Sequence, residues 1–153
     1  MGKIGERMKN EGRDRQALMV VCGSVNVLLS IQEVKQIYAR EQVIAKDENQ
    51  FMLEGRAYAG YFLYDLLKQE KEMVNYAILL QSDKQDIILF VAKVLNVISL
   101  DKPCILPFYM LCPPFSYIEN CYPIDSSHMG YHLNIPKLID QYQIVHLEAG
   151  YGN

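Results

Sequence analysis

Tryptophan is absent from this chain of 153 residues, and neither sign of charge dominates it. Lysine and arginine number 15 against 18 aspartates and glutamates, which gives a formal net charge of −3. A surface that binds nucleic acid needs a clustered basic excess. The composition therefore argues against nucleic acid as a partner.

Long apolar runs are missing as well. No run approaches the roughly 20 residues that span a bilayer, so we expect no membrane segment. The first fifteen residues are polar and charged and lack the apolar stretch of a signal peptide. We therefore predict a cytoplasmic protein with a flexible polar arm over residues 1–16. Half of the chain is apolar, which predicts a single α+β domain with a real core over residues 17–153.

Cysteine is scarce, and its spacing is not that of a metal site. The four cysteines are Cys22, Cys104, Cys112 and Cys121, and no two have the CxxC spacing typical of zinc ligands. In a cytosolic chain they are expected to be free thiols. Cys112 and Cys121 flank a loop rich in proline and tyrosine and could meet in space, but we predict no disulfide between them.

Apolar periodicity predicts strands and two helices in the first half of the chain. A strand is predicted over residues 18–22, with a continuation after a turn at residues 23–24, and another over 51–53. Ser30 and Glu33 fit a capping box, which predicts a helix over residues 31–40. A second, amphipathic helix is predicted to begin after Gly60.

The second half is less clear. Residues 76–82 are compatible with a strand, whereas the apolar residues of 87–100 fit a helical face as well as strands. Five prolines between residues 103 and 123 exclude a long helix there. Pro136 suits the first turn of a short helix. Alternating side chains over residues 143–148 predict a closing strand.

The histidines offer few candidates for chemistry. His128 and His132 are four residues apart and could share a metal ion on a helix, but Gly130 indicates a loop, so no metal site is predicted. Asp125, Ser127 and His128 contain the residue types of a catalytic triad. Neighbours in sequence seldom adopt triad geometry. No catalytic residue is therefore predicted.

Several segments follow one another in an order found in a known family. They are Val20-Val21-Cys22-Gly23, Leu29-Ser30-Ile31-Gln32-Glu33-Val34, Ala59-Gly60-Tyr61-Phe62-Leu63-Tyr64-Asp65-Leu66-Leu67, Ala77-Ile78-Leu79-Leu80-Gln81-Ser82-Asp83 and Gln143-Ile144-Val145-His146-Leu147-Glu148. This succession resembles the molybdopterin-binding domain of the sulfite oxidase family. The resemblance implies an α+β fold of mixed sheets with peripheral helices.

The resemblance also implies that this chain lacks the metal-binding cysteine of the family. Catalytic members of that family place a cysteine between the two helices, where its thiolate, a soft ligand, binds molybdenum. Residues 43–60 of this chain contain no cysteine, and Cys22 lies in the first strand, where the family has a structural residue. The implied protein is a degenerate member with molybdopterin, another pterin or a different anionic small molecule as its ligand.

Four residues are implied to bind that ligand. Arg56 and Tyr58 correspond to a region that borders the pterin pocket, and the planar guanidinium of an arginine suits an oxyanion. Gly60 would begin a helix whose free amides attract an anion. Asp83 corresponds to a turn of the family, although Lys84 follows it where the family has glycine.

Three functions follow from these observations. The first is the binding module just described. The second is a molybdenum-dependent oxidoreductase with an atypical metal ligand, and the third is a protein-interaction domain without a small ligand. Tyr109, Tyr117, Tyr122 and Tyr131 could stack on a flat heterocycle, but tyrosines in such a loop are more often at the edge of the core with hydrated hydroxyls.

Overall fold

The computed structural model describes residues 15–82, 84–101, 103–104 and 117–151, and side chains as far as residue 143. The predictions for residues 1–14 of the polar arm, and those for Asp83, Tyr109 and Cys112, lie outside the described residues. Within these ranges, no helix is long and apolar enough to cross a membrane.

Strands make up most of the described chain. They are β1 (Gln16–Cys22), β2 (Val25–Ser30), β3 (Val34–Ala39), β4 (Ile44–Ala45), β5 (Gln50–Leu53), β6 (Arg56–Phe62), β7 (Tyr76–Leu80), β8 (Ile87–Val91), β9 (Lys93–Ser99), β10 (Ile118–Pro123) and β11 (Met129–Leu133). The α-helices are α1 (Leu63–Leu66) and α2 (Ile135–Tyr151). The protein is therefore an α+β protein with mixed sheets and few helices.

The strands form two sheets. Sheet A has the order β10-β11-β2-β1-β9, and sheet B has the order β3-β7-β8-β6-β5-β4. Each combines antiparallel pairs with a parallel one, β11 with β2 in sheet A and β6 with β8 in sheet B. The outermost strands of sheet B are consecutive in sequence, and the five steps from Ala39 to Ile44 reach at most about 18 Å. Sheet B must therefore curl until its two edges approach each other.

Most of the buried residues that the structure describes fall into three clusters. The central cluster, between the sheets, contains Leu18, Val20, Cys22, Val27, Leu29, Leu63, Tyr64, Leu66, Ile78, Leu80, Ile87, Leu89, Val91, Leu133, Ile135 and Leu138. The sheet-B cluster contains Tyr38, Val43, Phe51, Leu53, Ala77, Leu79, Ile88 and Phe90. The sheet-A cluster contains Ala17, Met19, Leu28 and Tyr122.

Strand β8 contributes side chains to two clusters. Successive side chains of a strand point to opposite faces. Ile87, Leu89 and Val91 accordingly join the central cluster, while Ile88 and Phe90 join the sheet-B cluster. Both faces are buried, so the strand is a continuous apolar run. Residues 87–100, which the sequence left open between helix and strands, form β8 and β9.

The strands predicted over residues 18–22 and 51–53 are confirmed, as is the strand within 76–82. The helix predicted over residues 31–40 is wrong. A single 3-10 turn (Ile31–Glu33) leads into β3, and the Ser30 side chain makes no capping hydrogen bond. Tyr38 is buried in the sheet-B cluster whereas Ile37 faces outward, because β3 pairs with β7. This tertiary pairing outweighs the local capping signal.

One further prediction is partly correct and another is wrong. A helix does follow Gly60, but Gly60 itself lies within β6, and α1 begins only at Leu63 and is a single turn. The strand predicted over residues 143–148 is part of α2. Pro136 does lie in the first turn of that helix, as predicted, and Leu138 packs into the central cluster. The helix α2 therefore continues past residue 142, although the short alternation of side chains over residues 143–148 predicted a strand.

Candidate interaction surfaces and polar clusters

An apolar cavity lies between the β7–β8 connection and the first turns of α2. Its volume is about 250 Å³, and its apolar lining comes from Leu80, Ile87, Ile135, Pro136 and Ile139. Lys84 and Asp140 are among the polar residues that also line it, so the cavity carries charges of both signs. A cavity of this kind can receive an apolar side chain of a binding partner.

A second apolar surface lies on β9, which is the outermost strand of sheet A among the described residues. Leu95 is 51% exposed and Val97 is 45% exposed. We call these two residues the β9 surface. Outermost strands carry unpaired backbone groups, and proteins commonly protect them with charged side chains. Lys93, at the start of β9, is its only charged residue.

The cavity and the β9 surface have no residue in common. Ile87, which lines the cavity, begins β8, and β9 begins two residues after Val91, the last residue of β8. The four steps between these residues cover about 13 Å in a strand. Two partners could therefore contact the chain without competing for the same residues.

The structure separates the four predicted ligand residues. Arg56 and Tyr58 both line an open cavity of about 450 Å³, whereas Gly60 lines a different one of about 120 Å³. The Gly60 amide donates a hydrogen bond to the Asn49 carbonyl at 3.0 Å, so it is not a free helix amide. Asp83 lies outside the described residues. Anion binding by Arg56 and Tyr58 stays a prediction.

Asp125, Ser127 and His128 form an exposed cluster in the β10–β11 connection. The Asp125 carboxylate accepts a hydrogen bond from the Ser127 amide at 2.9 Å and lies 2.8 Å from His128 Nδ1. These two contacts, the amide first, lower the pKa of Asp125 to about 2. Ser127 Oγ lies 3.1 Å from the same Nδ1. A triad needs its hydroxyl at Nε2, so this cluster does not have triad geometry.

His132 has a different set of partners. Its Nε2 lies 2.6 Å from Ser30 Oγ, and its Nδ1 lies 3.8 Å from a carboxylate oxygen of Glu119. The other Glu119 oxygen accepts a hydrogen bond from Asn134 Nδ2 at 3.0 Å. The His132 side chain is only 12% exposed, and this burial lowers its pKa, while Glu119 acts in the opposite direction.

Sequence reasoning missed this cluster. Ser30 and His132 are 102 positions apart, and the parallel pairing of β2 with β11 brings them together. A local pattern carries no information about such a pairing. The Ser30 hydroxyl contacts His132, whereas the capping box predicted that it would accept a hydrogen bond from the backbone.

The structure shows the state of three cysteines and the surroundings of three tyrosines. Cys22, Cys104 and Cys121 are free thiols, as predicted. Tyr122 belongs to the sheet-A cluster, and Tyr117 and Tyr131 pack against the central cluster, which agrees with the core-edge interpretation. Among the described residues, no group of three or more histidines, cysteines, aspartates or glutamates is arranged to hold a metal ion.

Comparisons with known proteins point to one fold. Neither a protein-family model nor a curated protein matches the chain. Its structure is similar to the crystal structure of the scaffolding protein TtCheW from Thermoanaerobacter tengcongensis, with a TM-score of 0.63. The match covers 79% of this chain and 89% of that chain at 16% sequence identity. At this identity the similarity concerns the fold alone.

This similarity corrects the family resemblance and the function derived from it. The fold is like that of TtCheW and not that of a sulfite oxidase molybdopterin-binding domain. The resemblance depended on a helix over residues 31–40, where the chain forms β3, and on a helix beginning at Gly60, which lies within β6. The prediction of a degenerate pterin-binding module, which depended on that family's fold, is therefore wrong.

Proposed function

We propose that this chain is a scaffold that holds protein partners at two separate surfaces. The observation that carries this proposal is the β9 surface, where Leu95 and Val97 are half exposed on an outermost strand. Apolar side chains in such a position lose contact with water when an apolar partner segment covers them, and that burial favours binding.

The apolar cavity beside α2 supplies the second surface. Central anchors of protein interfaces are commonly single large side chains that enter a pocket. A leucine-sized or phenylalanine-sized side chain suits the lining of Leu80, Ile87 and Ile139. Lys84 and Asp140 would then orient the polar residues that flank this anchor. The fold of TtCheW, a scaffolding protein, supports the same role, and the predicted cytoplasmic location is compatible with it.

Site-specific photocrosslinking in cells of the source organism tests the proposal. A photoreactive amino acid is placed at Leu95 in one variant and at Ile139 in a second. The matched control carries it at Glu41, which is exposed and belongs to neither surface. We expect discrete adducts with specific proteins at Leu95 and at Ile139, with different proteins at the two positions, and none at Glu41.

A second substitution tests which surface makes each contact. Val97→Glu should abolish the adduct formed at Leu95 and leave the adduct formed at Ile139 unchanged, because only the β9 surface gains a charge. Equal adducts at all three positions, or none at Leu95 and Ile139, would contradict the scaffold function.

A further inference from the structure

We propose that Ser30 is a nucleophile activated by His132 and Glu119, and that it is acylated by activated esters. Ser30 Oγ lies 2.6 Å from His132 Nε2, and Glu119 lies 3.8 Å from Nδ1 of the same ring. This activity is separate from the proposed scaffold function and uses neither apolar surface.

The order of the contacts is that of a catalytic triad. In a triad the hydroxyl is bonded to one ring nitrogen and the carboxylate orients the ring from the other. Ser30, His132 and Glu119 follow this order on strands β2, β11 and β10, with the Glu119 carboxylate at ion-pair distance from Nδ1 rather than hydrogen-bonded to it. The exposed cluster around His128 does not, because Ser127 and Asp125 both contact Nδ1.

The surroundings of His132 suit a general base. A neutral imidazole can accept the serine proton, and the burial of His132 favours the neutral ring. Asn134 Nδ2 donates to Glu119 and fixes the carboxylate that faces Nδ1. Ser30 lies 102 positions from His132, so the arrangement is set by the pairing of β2 with β11 rather than by a local turn.

The chemical step can be written for an aryl ester. Ser30 Oγ attacks the acyl carbon while its proton passes to His132 Nε2, and an acyl–oxygen bond forms. The carbon–oxygen bond to the leaving group then breaks, and the imidazolium returns the proton to the departing phenolate. A water molecule releases the acyl group by the same route in reverse. Esters with good leaving groups require least stabilisation of the developing oxyanion, which defines the substrate class.

Acetylation by p-nitrophenyl acetate tests the proposal with the full chain. The rate of p-nitrophenolate release is followed by absorbance, and peptide mapping by mass spectrometry locates the acetyl group. We expect acetyl on Ser30, and a rate about tenfold or more lower in Ser30→Ala and in His132→Gln, since general-base assistance contributes at least that much. Ser127→Ala, which removes the serine beside the other histidine, should match the parent chain.

Ser30→Cys guards against a loss of folding in Ser30→Ala. It keeps a nucleophilic atom at the same place, and the acetyl group should then be found on residue 30 as a thioester. The proposal is overturned if acetyl appears only on lysine, tyrosine or other cysteine side chains. It is equally overturned if Ser30→Ala, shown to be folded by circular dichroism, reacts as fast as the parent chain.

Discussion

Gly60 illustrates, at the scale of one residue, how a missing side chain permits close packing. It lies in β6 beneath the ring of Phe51, and a Cβ atom built on it would overlap that ring. Phe51 is itself held against Phe90, with ring centroids 4.7 Å apart, and Phe62 stacks on Phe90 at the same distance. The ring therefore has little freedom to move aside.

Gly60→Ala is expected to destabilise the protein by about 1–3 kcal/mol, the usual cost of an overpacked core. Urea denaturation followed by circular dichroism measures this change. Ala57→Ser, on an exposed part of the same strand, is the control and should change stability by less than about 0.5 kcal/mol. Equal stabilities for Gly60→Ala and the parent chain would show that the Phe51 ring can shift.

His132 should make stability depend on pH. Burial lowers its folded-state pKa below the ordinary value of 6.5, so the unfolded chain binds a proton more readily. The stability linked to His132 is therefore fully present above pH 6.5 and is lost as the pH falls through the lower, folded-state pKa. The free energy of unfolding should decrease between pH 7 and pH 5. His132→Gln should flatten that decrease, and an unchanged slope would contradict the burial of this ring.

The Cys22 thiol should resist alkylation. Burial, with Glu72 adding to it, raises its pKa to about 12, so little thiolate forms near neutral pH. At pH 8 we expect iodoacetamide to modify Cys22 about a hundredfold or more slowly in the folded chain than in urea. Mass spectrometry of the digested protein measures this. Cys104, which is only half-buried, is the internal comparison and should react sooner.

At the scale of the element, β8 and β9 differ although both are rich in apolar residues. Every residue of β8 is buried, and its two faces enter two clusters. In β9, Val94 and Ile98 pack against the core, whereas Leu95 and Val97 are exposed. Apolar side chains therefore stabilise the fold in one strand, whereas some of those in the other strand remain exposed.

Substitutions in the two strands should separate these roles. Leu89→Ala and Phe90→Ala remove side chains from opposite faces of β8, and each is expected to cost about 2–5 kcal/mol in stability. Leu95→Ala in β9 should cost less than about 1 kcal/mol. Thermal unfolding of the three variants measures the difference. A small effect of either β8 substitution would mean that its face of the strand is not a core.

The strands that the sequence predicted are those whose signal is local. Residues 18–22 and 51–53 are short apolar runs bounded by turn residues, and both are strands. The helix prediction for residues 31–40 was wrong because this segment pairs with β7, although it carries both a capping signal and a helical spacing. Ligand binding by Arg56 and Tyr58, which line one cavity, stays a prediction, and the cluster around His132 depends on distant pairing that no local pattern reveals.

At the scale of the whole molecule, the central cluster joins the two sheets. It combines residues of β1 and β2 from sheet A with residues of β7 and β8 from sheet B. Leu138, from α2, contacts the same cluster. Neither sheet can lose this cluster without exposing apolar side chains of the other, and the single domain over residues 17–153 stays a prediction that unfolding experiments can test.

Leu138→Ala should therefore weaken both sheets together, by about 2–5 kcal/mol. We expect one cooperative unfolding transition for the parent chain and one, at lower denaturant concentration, for the variant. Circular dichroism and tyrosine fluorescence should report the same midpoint. Two separate transitions in either protein would show that the sheets unfold independently and would contradict the single-domain prediction.

The parallel pairing of β2 with β11 also means that sheet A can be completed only late in translation. All strands of sheet B lie between β2 and β9, whereas Ser30 must wait for His132, 102 positions later. At ribosomal speeds of about 5–20 residues per second, that wait lasts about 5–20 s. During this interval the nascent β2 has no β11 to cover its edge, so a molecular chaperone that binds extended apolar segments would have its longest opportunity here.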